Sequence, residues 1–120
     1  MNNPSKNYDL EERTAKFGEK IIIFCKSLQE NTISRPLILQ LVRAATSIGA
    51  NYMEANGASS RKDFKNKIFI CKKEAQETKH WLRMLASCFP DKKSDLYLYW
   101  KECQELTLIF QKIGNTLNKN

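Results

Sequence analysis

The chain has 120 residues, 20 of them Lys or Arg against 13 Asp or Glu, a net charge of +7, and 42% hydrophobic residues. That length leaves room for one domain, and that apolar share is enough to build a core, which excludes wholesale disorder. Four glycines and three prolines disfavour a turn-rich sandwich or barrel, and no apolar run approaches the roughly 20 residues of a membrane span.

Residues 1–7 are polar, show no signal-peptide pattern, and are expected to form a flexible tail ahead of a single domain over residues 8–118. The first expected helix runs from about Tyr8 to Glu30, with Asp9 as its cap and Glu11 and Glu12 in the first turn, where the helix dipole favours negative charge. Leu10, Thr14, Phe17, Ile21, Phe24 and Leu28 recur at steps of four and three, which keeps them on one face. Asn31 and Thr32 break that pattern.

A second helix is expected from Ser34, as N-cap, to Asn56, with Pro36 tolerated in the first turn. Leu37, Leu41, Ala44, Ile48 and Ala55 form its seam. Ile38, Leu39, Val42 and Ala45 carry apolar character almost all the way round its first half, so it should be covered on more than one side, as by a second subunit. Gly57 suits a left-handed residue just past the helix end.

The third helix opens with a capping-box-like Ser60 and Asp63 and ends at Cys88, before Phe89-Pro90. Phe64, Ile68, Cys71, Ala75, Thr78, Leu82 and Leu85 make its seam. A second apolar set, Ile70, Trp81 and Cys88, lies about 110° around the helix from that seam, and Ile70 and Trp81 are candidates for a subunit contact. The fourth helix starts between Asp91 and Ser94 and runs to about Leu117 on Leu96, Tyr99, Cys103, Leu106, Phe110, Ile113 and Leu117. Four long helices with short connections predict an all-α, antiparallel up-down-up-down four-helix bundle that assembles into a homo-oligomer.

Cys25, Cys71, Cys88 and Cys103 sit among apolar residues, form no C-x-x-C pair and match no zinc spacing with the one histidine, His80. They read as small buried hydrophobes kept reduced in a cytoplasm. No metal or cofactor is expected. Glu77 and His80 give one E-x-x-H, whereas a di-iron bundle wants two plus two further glutamates. Phosphate-loop, dinucleotide, zincin and nucleophile-elbow motifs are absent from the sequence, so an enzyme is disfavoured.

The charge is uneven. Between Ser60 and Cys88 stand eight basic and three acidic residues, +5 of the total +7. Arg61, Lys65, Lys72, Lys79 and Arg83 fall in a wedge roughly 40° wide, a stripe roughly 30 Å long, with Lys62 and Lys73 nearby. Such a stripe suits a phosphate backbone of RNA or DNA; equally, it suits the solvated flank of a bundle helix, with lysine stems covering the seam. No aromatic residue alternates with these charges as a base-stacking platform requires. A second polar set, Arg43, Ser47, Asn51 and Glu54, shares a wedge of about 80° on the otherwise apolar second helix. It reads either as a network fixing helix register or a subunit contact, with Glu74 and Glu77 as partners for Arg43, or as a polar ligand or catalytic site.

The stretch from Leu41 to Glu54 carries the pattern R-x-x-x-S-I-x-x-N-x-x-E, followed shortly by Gly57. In this it resembles the four-helix bundle proteins encoded in intervening sequences of bacterial 23S ribosomal RNA genes, and the resemblance extends over about residues 9–115. It implies a bacterial, cytoplasmic, all-helical protein that assembles as a ring-like homopentamer, and a structural role for Arg43, Ser47, Asn51 and Glu54. The related accessory proteins of diversity-generating retroelements form such a barrel, bind nucleic acid through basic surface and contact a reverse transcriptase, which makes these partners expectations here too. Ala55 and Asn56 precede the glycine where many members have it directly after the glutamate, and Lys73-Glu74 stands where many have Gly-Ser. The expected function is non-specific RNA or DNA binding by a homo-oligomer, the alternative a protein-interaction scaffold.

Overall fold

The computed structural model describes residues 6–119, which form four α-helices and no strand. They are α1 (Lys6–Lys26), α2 (Ser34–Asn56), α3 (Arg61–Cys88) and α4 (Lys93–Leu117), with a single 3-10 turn over Pro90–Lys92. Of the expected tail, Lys6 and Asn7 already belong to α1, and residues 1–5 lie outside the described residues.

The helix ends depart from expectation in four places. Asp9 lies inside α1 and so does not cap it. At the other end α1 stops at Lys26, because Ser27 and Leu28 turn their N–H groups to the carbonyls three residues back, on Phe24 and Cys25, at 3.0 and 3.1 Å. Ser34 is the first helical residue rather than the N-cap. Asn31 does the capping: its Oδ1 accepts the N–H groups of Ile33 and Ser34, each at 2.9 Å, while Ser34 Oγ accepts the N–H of Asn31 at 2.9 Å. This reciprocal pair is a capping box set three residues earlier. Gly57 has φ −97° and ψ 12°, so no left-handed residue ends α2; the N–H groups of Gly57 and Ala58 close the helix on Glu54 and Ala55. Ser60 does cap α3, its side chain accepting the Asp63 N–H at 3.0 Å, and Phe89, at φ −131° and ψ 70°, ends that helix before Pro90.

Side-chain pairs show how the helices lie. Glu11 of α1 meets Asn56 of α2, and Gly18 lies against Thr46. Arg43 of α2 meets Glu77 of α3, and Glu54 meets Lys67. Lys72 of α3 meets Gln111 of α4, and Lys79 meets Gln104. On all three sides, higher numbers on one helix face lower numbers on the next. The fourth side, between α1 and α4, is closed mainly by side chains: Phe24 sets its ring edge-on to Tyr99 at 5.2 Å, and Arg13 binds Glu102 and Glu105.

The seams meet in one core. Every member of the α1 set is buried, as are Ile68, Cys71, Ala75, Thr78, Leu82 and Leu85 of α3. On α2, Ile38 takes the buried position and Leu37 is only half-buried, while Leu39 stands exposed. Tyr52, absent from the expected seam, is fully buried with its ring centroid 6.1 Å from that of Phe110. Thr14, Thr78 and Thr107 enter the core by donating their hydroxyls to carbonyls of their own helices. Cys25, Cys71 and Cys103 are buried free thiols and Cys88 is half-buried. Burial pushes the Cys25 thiol up to about 11 and the Cys71 thiol up to about 12. A buried Leu, Ile or Phe contributes about 1.5–3 kcal/mol, against about 0–1 for an exposed ion pair, so the apolar seams hold this bundle together.

Candidate nucleic-acid interface

Helix α3 presents two flanks with different chemistry. The stripe occupies one. Arg61, Lys65 and Arg83 are exposed; Lys72 and Lys79 are half-buried. Each contact of this stripe with another helix is to α4, and each is neutral. Arg61 donates to the Leu117 carbonyl at 3.0 Å, Lys72 to Gln111 Oε1 at 2.9 Å and Lys79 to Gln104 Oε1 at 2.5 Å. Among the described residues none of the five cations lies in an ion pair, whereas Arg13, Lys16, Arg35, Arg43 and Lys67 all do. The α4 carboxylates Glu102 and Glu105 face the other way, onto Arg13 of α1. The stripe therefore keeps its full charge along the line where α3 meets α4.

Aromatic rings do accompany it, contrary to the expectation from sequence. Lys72 Nζ stands 5.5 Å from the centroid of Phe69, a ring 56% exposed on the edge of the same flank. Lys79 Nζ stands 5.2 Å from the centroid of Trp100, and Lys101 Nζ 5.7 Å from that of Tyr97, both rings on α4. Phe69 lies outside the narrow wedge of the basic residues by about 40–80°. Tyr97 and Trp100 belong to another helix, so no spacing within α3 reveals them.

The other flank of α3 faces α2 and carries the second polar set. Arg43 reaches Glu74 at 3.4 Å and also binds Glu77. Glu77 accepts the Trp81 indole N–H at 3.1 Å. That indole bond, together with Arg43 and against the opposing effect of burial, holds the Glu77 carboxyl below its usual value. Lys67 pairs with Glu54 at 2.7 Å. Ser47 Oγ donates to the Arg43 carbonyl at 2.6 Å, and Asn51 Nδ2 to the Ser47 carbonyl at 2.8 Å. Arg43 and Glu54 thus tie α2 to α3 at two points, while Ser47 and Asn51 satisfy their own helix. Ile70 and Trp81 lie on this same flank, both half-buried, roughly 160–180° around α3 from the basic stripe. His80 is exposed, edge-on to Trp81 at 4.9 Å.

Among the described residues no group of three or more His, Cys, Asp or Glu is placed to hold a metal ion, and no helix is long and apolar enough to cross a membrane. The class defined by this fold and surface is an all-α protein of four helices with a basic flank. The chain matches the family model of the 23S rRNA-intervening sequence protein over residues 6–118, and it belongs to that family. This bears out the resemblance carried by Arg43, Ser47, Asn51 and Glu54. A crystal structure of a protein with unknown function from the S23 ribosomal protein family of Bacteroides thetaiotaomicron is similar to it, with 30% identity and a TM-score of 0.83 over 92% of this chain and 98% of that one. A comparison with curated proteins gives no match.

Proposed function

We propose that this protein is a cytoplasmic up-down-up-down bundle that assembles into a homopentamer and binds RNA or DNA non-specifically through Arg61, Lys65, Lys72, Lys79 and Arg83. The role proposed is binding, with no catalytic step. The observation that carries the reading is that five cations are aligned on one flank of α3 and, among the described residues, none lies in an ion pair, while the α4 carboxylates Glu102 and Glu105 are drawn to Arg13 on the other side. Binding proceeds by phosphate neutralisation with counterion release. Ile70 and Trp81, on the opposite flank of α3, supply the subunit contact, so assembly leaves the stripe open and multiplies it by the symmetry of the ring. The ring-like homopentamer is the assembly that the family resemblance implies.

Fluorescence anisotropy with labelled single- and double-stranded probes tests this. Reversing Lys65, Lys72 and Lys79 to Glu should abolish binding at moderate salt and lower the salt slope by about 2–3. Unchanged affinity and slope would remove the stripe from the interface. Light scattering that returns a 14 kDa monomer at micromolar protein would end the oligomer.

A second reading is a protein-interaction scaffold without a nucleic-acid role. Leu39 and Met53, both exposed on α2, favour it. A stoichiometric protein partner, such as a reverse transcriptase, that survives nuclease treatment in a pull-down would decide for it.

A further inference from the structure

One end of the basic stripe runs into a groove of about 440 Å³ between α3 and the start of α4. Leu82, Ala86 and Leu96 form its apolar floor, Tyr97 and Trp100 its wall, and Arg83 and Lys93 its charged rim. The two rings are nearly parallel, 11° between planes with centroids 6.2 Å apart, and Tyr97 is 59% exposed. Lys79 and Lys101 each hold an ammonium over one of these rings. Lys93 opens α4, where the helix dipole disfavours a cation; Asp91 in the 3-10 turn and Asp95 in the first turn of α4 are the acids nearest it in the chain. Neither acid pairs with a cation of the groove.

We propose that the Tyr97–Trp100 pair, with Lys79, Arg83, Lys93 and Lys101 around it, takes an unpaired base of a single-stranded nucleic acid, the base stacked on the rings and its flanking phosphates held by the cations. This rests on the phosphate-binding reading of the stripe and specifies where a strand is gripped by more than charge. The exposed Lys101 ammonium over Tyr97 is weakly held, half-buried Lys79 is held also by the neutral Gln104 Oε1 at 2.5 Å, and for both a phosphate oxygen is a stronger, charge-assisted acceptor. When Lys79 and Lys101 turn to phosphates, they vacate the ring faces on which a base stacks. Stacking of this kind is tolerant of sequence, because every base has a flat face. Duplex DNA or RNA, whose bases are already stacked, gains nothing from the groove.

The test compares a single-stranded homopolymer, oligo-dT or oligo-U, with an abasic oligonucleotide of the same length and phosphate number. The intact protein should bind the homopolymer about tenfold more tightly than the abasic strand, and a ratio of that size on either backbone supports the site. Tyr97→Ala with Trp100→Leu should bring the ratio to near one while the abasic affinity and its salt slope stay as they were. If the double variant loses its helical circular dichroism, Tyr97→Ala alone, at an exposed ring, should still lower the ratio. Equal wild-type affinity for both strands, with a steep salt slope, overturns the stacking site and leaves the stripe standing. No binding of either strand ends both.

Discussion

Asn31 is a short side chain that closes one helix–helix connection and starts the next helix. Its Oδ1 satisfies two N–H groups that α2 would otherwise leave unpaired, and Ser34, itself fully buried, returns a bond to the Asn31 N–H. Asn31→Ala should lower stability by about 1 kcal/mol, read as a drop in the urea midpoint with an unchanged slope, and Asn31→Asp should restore most of it. Sequence favours Ser34 as the cap because Pro36 follows it in the first turn, while Asn31, three residues earlier, is an equally good capping residue type without a proline to mark it. Choosing between them requires the path of residues 27–33, which is a tertiary matter.

At the scale of elements, the contact between α1 and α2 is set by two glycines. A Cβ on Gly49 would lie 3.3 Å from Thr14 Oγ1 and 3.4 Å from the carbonyl carbon and oxygen of Thr14. A Cβ on Gly18 would meet Thr46 at an ordinary 3.5 Å. Alanine in a helix gains about 0.5–1 kcal/mol over glycine, while overpacking costs about 1–3. Gly49→Ala should therefore destabilise by about 1 kcal/mol, since the crowded atoms include backbone, and Gly18→Ala should stabilise by about 0.5 kcal/mol; thermal unfolding of the pair of variants checks the opposite signs. The four helices themselves are legible in the sequence because Leu10 to Leu28, Leu37 to Ala55, Phe64 to Leu85 and Leu96 to Leu117 recur at helical steps. Tyr52 is harder to read: a polar hydroxyl on an apolar ring fits core and surface alike. The basic stripe is legible for the same reason as the seams, by its period. Its aromatic companions Tyr97 and Trp100 are not, because α4 supplies them across a helix interface.

For the molecule as a whole, α3 acts as a divider. Its α4-facing flank carries unpaired cations and its α2-facing flank a closed network of Arg43, Glu74, Glu77 and Trp81. Glu77 is the pH-dependent member. Its carboxyl is held below the ordinary value of 4.5, so it contributes stability above that pH and loses it as pH falls through the lowered value. Urea midpoints measured from about pH 7 down to about pH 3 should fall at the acid end, and Glu77→Gln should lower the plateau while flattening that fall. An acid limb of the same steepness in Glu77→Gln would assign it to other carboxylates.

The Arg13 clasp on Glu102 and Glu105 has a consequence of its own. Three sides of the bundle are shut by helices packed directly on one another, and the fourth by a few long side chains, with one guanidinium serving two carboxylates at 2.7–2.8 Å. Dissolved ions weaken a partly exposed charge contact and leave oily packing almost untouched. Ionic strength therefore acts on this molecule as on a hinged lid: the α2–α3 wall also loses ion pairs but keeps its packed helices, and the α1–α4 edge loosens most as it rises.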